Sequence, residues 1–131
     1  PSGSRRDESE IRAVLAEYIR EFNARDWAAC RSYFTAAGGG IQSTAGADVR
    51  LIPVDSLFAR LAAAPGEPGQ YRILRTDLRQ VGGYAAAWVN LHRSAAGRAE
   101  EQDDVEHFTL VRTDRGWRIQ FLAAPWISRL P

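Results

Sequence analysis

DESEIRAVLAEYIREFN, Asp7 to Asn23, is the stretch whose reading decides the fold. Ile11, Val14, Leu15, Tyr18, Ile19 and Phe22 recur at spacings of three and four, so they share one stripe of a 3.6-residue period. Arg12, Glu17, Arg20 and Glu21 fall on the other side. Asp7, followed three residues later by Glu10, reads as a capping box that starts the helix. A helix with so wide an apolar face needs a sheet to cover, and the rest of the chain reads as that sheet and its connections.

Downstream, Asp26 is a helix N-cap, and Trp27, Cys30 and Phe34 at i, i+3 and i+7 give a short second helix folding back on the first. Gly38 to Gly40 break the pattern as a flexible turn. Ile41 to Ser43 and Val49 to Ile52 then read as two short strands around a turn at Ala45 to Asp48. Pro53 opens a third helix with Leu57, Phe58 and Leu61 on its apolar face, ended by Pro65, Gly66, Pro68 and Gly69. From there the chain reads as four long strands, Tyr71 to Val81, Tyr84 to Arg93, Val105 to Thr113 and Trp117 to Ala124. They are separated by Gly82-Gly83, by Ser94 to Asp104, of which Ser94 to Gln102 reads as a loop, and by Asp114-Arg115-Gly116. Helices first and an antiparallel meander afterwards is the α+β pattern.

Composition narrows the class. At 131 residues the chain holds one core, read as a single domain over residues 7–131 behind a tail or cloning remnant at 1–6. All 17 basic residues are arginine, interleaved with 16 acids, so no basic face is concentrated enough for nucleic acid. No apolar run approaches the roughly 18 residues of a membrane span and no signal-peptide pattern is present, which makes a cytoplasmic protein the expectation. Cys30 is the only cysteine, excluding an internal disulfide, and two histidines without ligand spacing to each other or to paired acids leave no metal site. No cofactor motif is present, since Gly38 to Gly40 lie helix-to-strand, the reverse of a phosphate loop.

Three segments carry a family resemblance: the first helix ending in FNARDW, the second ending in Tyr33-Phe34, and the closing RTDRGWRIQFLAAPW. From about Asp7 to Trp126 the chain resembles the nuclear transport factor 2-like superfamily, which includes ketosteroid isomerases, SnoaL-type polyketide cyclases, scytalone dehydratase and limonene epoxide hydrolase. The resemblance implies a strongly curved antiparallel sheet wrapped with helices into a cone-shaped apolar pocket, the cystatin-like architecture, and a homodimer packed through the sheet. It also implies roles. Ala16 to Asn23 resembles the isomerase segment whose tyrosine donates to the developing enolate oxygen, which makes Tyr18 that donor. Arg118 to Trp126 resembles the final strand and brings Trp126 to the pocket. The position of the catalytic-base aspartate falls at about Gln42, and that of the second oxyanion acid near Thr109.

The residues themselves suggest three chemistries. A buried Tyr18 hydroxyl is a candidate oxyanion donor or, alternatively, a core aromatic. If Val105, His107, Thr109 and Val111 face the pocket, His107 is the best general base, its ordinary pKa near 6.5 suiting proton transfer at neutral pH; otherwise it is a sheet or dimer-contact histidine. Carboxylates offer a third route: Asp77 sits between Arg75 and Arg79 on one strand face, and Asp103, Asp104 and Glu106 cluster locally. An acid enclosed in an apolar cone has a raised pKa and can act as acid or base. The expected function is a cofactor-independent isomerase, cyclase or dehydratase, moving a proton next to a carbonyl of an apolar small molecule. Tyr18, His107 and Asp77 are the catalytic candidates, with Phe34, Gln42, Trp88, Thr109 and Trp126 as candidate substrate contacts. The alternatives are a non-catalytic ligand-binding or protein-association domain, and an epoxide opener built on Asp77.

Overall fold

The computed structural model describes residues 2–44, 46, 48–64, 69–94 and 101–131. The first helix, α1 (Ser2–Asn23), buries the predicted stripe of Ile11, Leu15, Tyr18, Ile19 and Phe22. Each such side chain contributes on the order of 1.5–3 kcal/mol on leaving water. The helix starts at Ser2, ahead of the expected capping box, so residues 2–6 are helical rather than a disordered tail. Asp7 is thereby released from capping. Its carboxylate instead accepts from Gln80 Nε2 (2.8 Å), Trp117 Nε1 (3.2 Å) and Arg112, tying α1 to the far end of the sheet. At the other end of the helix the Asn23 amide grips the backbone of Tyr71 twice: Nδ2 donates to its carbonyl and Oδ1 accepts from its N–H, both at 2.8 Å.

Next comes α2 (Trp27–Ser32), capped by the Asp26 side chain on the Ala29 N–H. Phe34 does not belong to it. It opens β1 (Phe34–Gln42), which runs through the three glycines expected to form a turn. The reason is close approach of neighbouring main chain: a Cβ on Gly38 would lie 2.3 Å from the Gln120 carbonyl oxygen, and one on Gly39 2.0 Å from that of Ile52. Glycine here permits strand pairing instead of breaking it. β2 (Arg50–Pro53) follows, then α3 (Val54–Ala63) with Leu57, Phe58 and Leu61 buried as the spacing predicts. Part of the predicted turn at Ala45 to Asp48, and Pro65, Gly66 and Pro68, lie outside the described residues.

The long strands are β3 (Gln70–Val81), β4 (Tyr84–Ser94), β5 (Glu101–Thr113) and β6 (Gly116–Ala123), and a last turn of helix, α4 (Pro125–Ser128), closes the chain. Asp103 and Asp104, expected in a loop, are in β5; residues 95–100 of that loop lie outside the described residues. Six strands form one sheet in the order β2-β1-β6-β5-β4-β3. It is mixed rather than wholly antiparallel, because β1 enters beside β6 in parallel. Register shifts between Ile73 and Arg75, Thr109 and Leu110, and Phe34 and Gly39 insert extra residues that bend the strands, and the sheet curls around α1 and α3. Among the described residues no helix is long and apolar enough to cross a membrane.

Candidate functional site

Alternation along β4 and β5 decides what faces the helices. Ala85, Ala87, Val89 and Leu91 of β4 are buried, and they pair across with Leu110, Phe108, Glu106 and Asp104 of β5, also buried. The even positions of β5 therefore line the interior. Its odd positions, Val105, His107, Thr109 and Val111, lie on the outer face of the sheet.

That face inverts several expectations. His107 packs against Trp88 on the outside, ring centroids 4.7 Å apart, where partial burial lowers its pKa. Thr109 pairs with Ala86 and Phe121 there. Asp77 belongs to the same face opposite Trp88, ion-paired with Arg75 at 2.7 Å and half exposed, so it is a member of a surface charge ladder and not of an epoxide-opening constellation. Each is separated from the interior by the thickness of the sheet.

Tyr18, Phe34 and Trp126 meet inside. The Tyr18 ring is enclosed by Phe34 and Phe108 (both 5.8 Å), Phe22 (6.1 Å) and Phe58 (6.4 Å). Trp126, which stands on α4 rather than on the last strand, lies 5.4 Å from Phe22 and 6.3 Å from Phe58. Gln42 is buried at the end of β1, where its Nε2 donates to the carbonyls of Ile127 (3.1 Å) and Leu130 (2.9 Å). It holds the C-terminal segment, and with it Trp126, over the aromatic interior.

The residue that the sequence reading left without a role of its own is Glu106, only 1% exposed on the inner face. Its Oε1 has no hydrogen-bond partner, and neither do the Tyr18 hydroxyl, the Tyr71 hydroxyl and Trp126 Nε1, all of them buried. Removal from water pushes the Glu106 carboxyl up to about 8, with the nearby Asp104 charge adding to the rise. Burial, and then the proximity of Glu106, likewise raises the Tyr18 and Tyr71 phenols, so both stay protonated donors. Asp104 lies two residues along the same face. Gln102 Nε2 donates to its Oδ1 at 2.6 Å, while its Oδ2 stands 3.5 Å from Arg93 Nε, close enough for an ion pair without a hydrogen bond. Cys30 is buried beside α1 and its thiol is pushed up to about 12, chiefly by burial, so it is an inert small hydrophobe. The signal for Glu106 was present in β4: a strand face made only of Ala85, Ala87, Val89 and Leu91 is a buried face, and the register fixes its partners.

Comparison with known proteins agrees with this architecture. The family model described as SnoaL-like domain matches residues 11–122. No curated protein matches the sequence. Among solved structures, a Novosphingobium aromaticivorans protein provisionally described as an aromatic ring hydroxylase superimposes with a TM-score of 0.72 at 17% identity, over 91% of this chain and 87% of its own. An NTF2-like protein of unknown function from Shewanella oneidensis gives 0.71 at 13% identity over 89% and 97%. A Nostoc punctiforme protein of unknown function with a cystatin-like fold gives 0.72 at 12% identity over 95% and 96%. At these identities the likeness is one of fold.

Proposed function

The chain belongs to the SnoaL-like domain family, and from that premise we propose that its cone binds an apolar small molecule carrying a carbonyl group and catalyses proton transfer beside it, as a cofactor-independent isomerase, cyclase or dehydratase would. The observation that carries this reading is the pair of unpartnered buried groups, the Glu106 carboxyl and the Tyr18 hydroxyl, inside a shell of aromatic rings. A carboxyl titrating near 8 is mostly neutral at pH 7 and can donate a hydrogen bond. With Tyr18 it offers two donors to one carbonyl oxygen, and each such donor is worth about 3 kcal/mol once negative charge builds on that oxygen. Asp104, oriented by Gln102 and Arg93, is the carboxylate left to accept the proton from the adjacent carbon. Phe34 and Trp126 supply the apolar walls.

The test uses 2-acetonaphthone in deuterium oxide, with loss of the methyl proton signal followed by NMR. The protein should accelerate exchange, and Tyr18→Phe and Glu106→Gln should each slow it by about ten-fold or more. Exchange at equal rates in parent and variants would remove both residues from the chemistry.

The outer face favours a partner rather than a substrate. Trp88 is 44% exposed and Val105 53%, and with Leu51, Tyr84 and Phe121 they give this side of the sheet an apolar surface beside His107. The proposal therefore includes a second copy of the chain docked through the sheet.

A further inference from the structure

The groups proposed to meet the ligand are shut in. Tyr18, Glu106, Phe34 and Trp126 are at most 3% exposed, so an aryl ketone reaches them only when something covering them moves. The surrounding elements differ in how firmly they are held. β1, β4, β5 and β6 each have a neighbouring strand on both sides. α1 is fixed at one end by the Asp7 carboxylate on Gln80 and Trp117, and at the other by the two bonds between Asn23 and Tyr71.

α4 is a single turn carrying Trp126, and the N–H groups of Ile127, Arg129 and Leu130 all close on carbonyls of Ala124 to Ile127, within the segment itself. Among the described residues, the hydrogen bonds that join Pro125 to Leu130 to the rest of the fold are the two from Gln42 Nε2, to the Ile127 and Leu130 carbonyls. The remaining attachment is apolar. Ile127 sits against Gly40, where a Cβ would come 2.9 Å from Ile127 Cδ1, and the Trp126 ring lies 5.4 Å from Phe22 and 6.3 Å from Phe58. Two further features set the segment apart. Trp126 Nε1 is buried with no partner, whereas a buried indole N–H usually finds one, so the closed position leaves the ring incompletely satisfied. Ala124 is extended (φ −148°, ψ 149°) ahead of Pro125 and lies beyond Ala123, the last residue of β6, so the segment can turn there without breaking the sheet.

We propose that residues 125–131 are the door of this interior, with Gln42 as its latch and Ala124 as its hinge. The inference rests on the proposed ligand site and adds its entrance. Opening breaks both Gln42 bonds, takes Ile127 off Gly40 and lifts Trp126 from Phe22 and Phe58, which uncovers the aromatic shell. Closing behind the ligand remakes the bonds and returns Trp126 as a wall. The door is shut in the free and in the bound protein alike, so weakening the latch changes the rates of entry and exit and leaves the affinity nearly as it was.

Stopped-flow quenching of tryptophan fluorescence by 2-acetonaphthone, with deuterium exchange of the 123–131 amides measured alongside, tests the assignment. In Gln42→Ala the amides should exchange about ten-fold faster, and association and dissociation should both speed up by about ten-fold while the affinity stays within about three-fold. Gly40→Ala, whose Cβ displaces Ile127 from its seat, should act in the same direction from a second position. Asn23→Ala removes two bonds at the C-terminal end of α1 and should leave both rates within about two-fold of the parent. Association unchanged in both door variants overturns the door and leaves the proton-transfer reading standing. Equal acceleration by Asn23→Ala also overturns it, since the ketone would then enter between α1 and β3. Weaker binding through faster dissociation alone makes Trp126 a fixed wall and overturns it as well. If the parent does not bind the ketone at all, the door and the ligand site fall together.

Discussion

Replacing Glu106 by Gln should make the protein more stable at pH 8 than the parent, and the gain should disappear on going down to pH 5. In the unfolded chain the carboxyl loses its proton at its ordinary value of 4.5, whereas in the folded chain burial holds it up to about 8. Between those values only the folded form carries the proton, so the parent loses stability as pH rises, at about 1.4 kcal/mol per pH unit. Across the whole window this amounts to about 4–5 kcal/mol, a large share of the 5–15 kcal/mol typical of a domain. Glutamine has nearly the same shape and no ionisation, so its curve lacks this slope. His107 works in the opposite direction. Its lowered pKa means the fold gains stability as pH rises toward 6.5, but this term is common to both proteins and cancels in their difference. The effect of Asp7, whose carboxyl is held below its ordinary 3.8 chiefly by the Gln80 hydrogen bond, belongs to more acidic solutions. Urea unfolding followed by tryptophan fluorescence at half-unit steps from pH 5 to 8.5 gives the two curves. Parallel curves, or a variant that is less stable throughout, would mean that Glu106 is ionised and satisfied in the fold, and the donor role proposed for it would be lost.

Gln42→Ala removes the amide bonded to the Ile127 and Leu130 carbonyls; the Ile127 carbonyl keeps the Leu130 N–H and the Leu130 carbonyl loses its amide donor, so a loss of about 1–3 kcal/mol and earlier proteolysis near residue 125 are expected, whereas protection equal to the parent would show that the C-terminal segment holds itself. Trp88→Glu sets a charge in the middle of the exposed apolar sheet face and should convert a dimer to a monomer in sedimentation velocity while leaving deuterium exchange of 2-acetonaphthone unchanged within about two-fold. A monomeric parent would refute the docking of a second copy.

Much of the fold was legible because the patterns were redundant. The α1 stripe is long enough that its face is unambiguous, and the four glycines with positive φ among the described residues, Gly46, Gly69, Gly82 and Gly116, stand at the expected breaks. The misread segment was Phe34 to Gly40. Local propensity makes three glycines a turn, whereas the fold uses Gly38 and Gly39 because the main chains of β6 and β2 approach too closely for a side chain, and Gly40 because the Leu57 and Ile127 side chains of α3 and α4 pack against it. That approach is a tertiary fact. The parallel pairing of β1 with β6 was hidden for the same reason: it joins residues more than eighty positions apart, and nothing in either strand alone specifies its neighbour.

The site was harder because β5 is apolar on both faces. Its inner face packs on α1, and its outer face carries Val105 and Val111 beside Trp88, so alternation alone gives two equal readings, one with His107 inside and one with Glu106 inside. Chemical preference favours histidine as a base, yet the register forces the acid inward, since the odd residues of β4 from Ala85 to Leu91 form an apolar buried face and pair with the even residues of β5. The ligand role proposed for the acid has an energetic argument behind it. A buried polar group without a partner costs about 1–3 kcal/mol, and Glu106, Tyr18, Tyr71 and Trp126 each leave one such atom inside a single aromatic shell. Phenylalanine, leucine or glutamine at these places would fill the same volume at lower cost. Four of the seven such atoms among the described residues belong to this one interior, which supports the proposed ligand site, and a ligand that satisfies them should return that stability in proportion to its affinity.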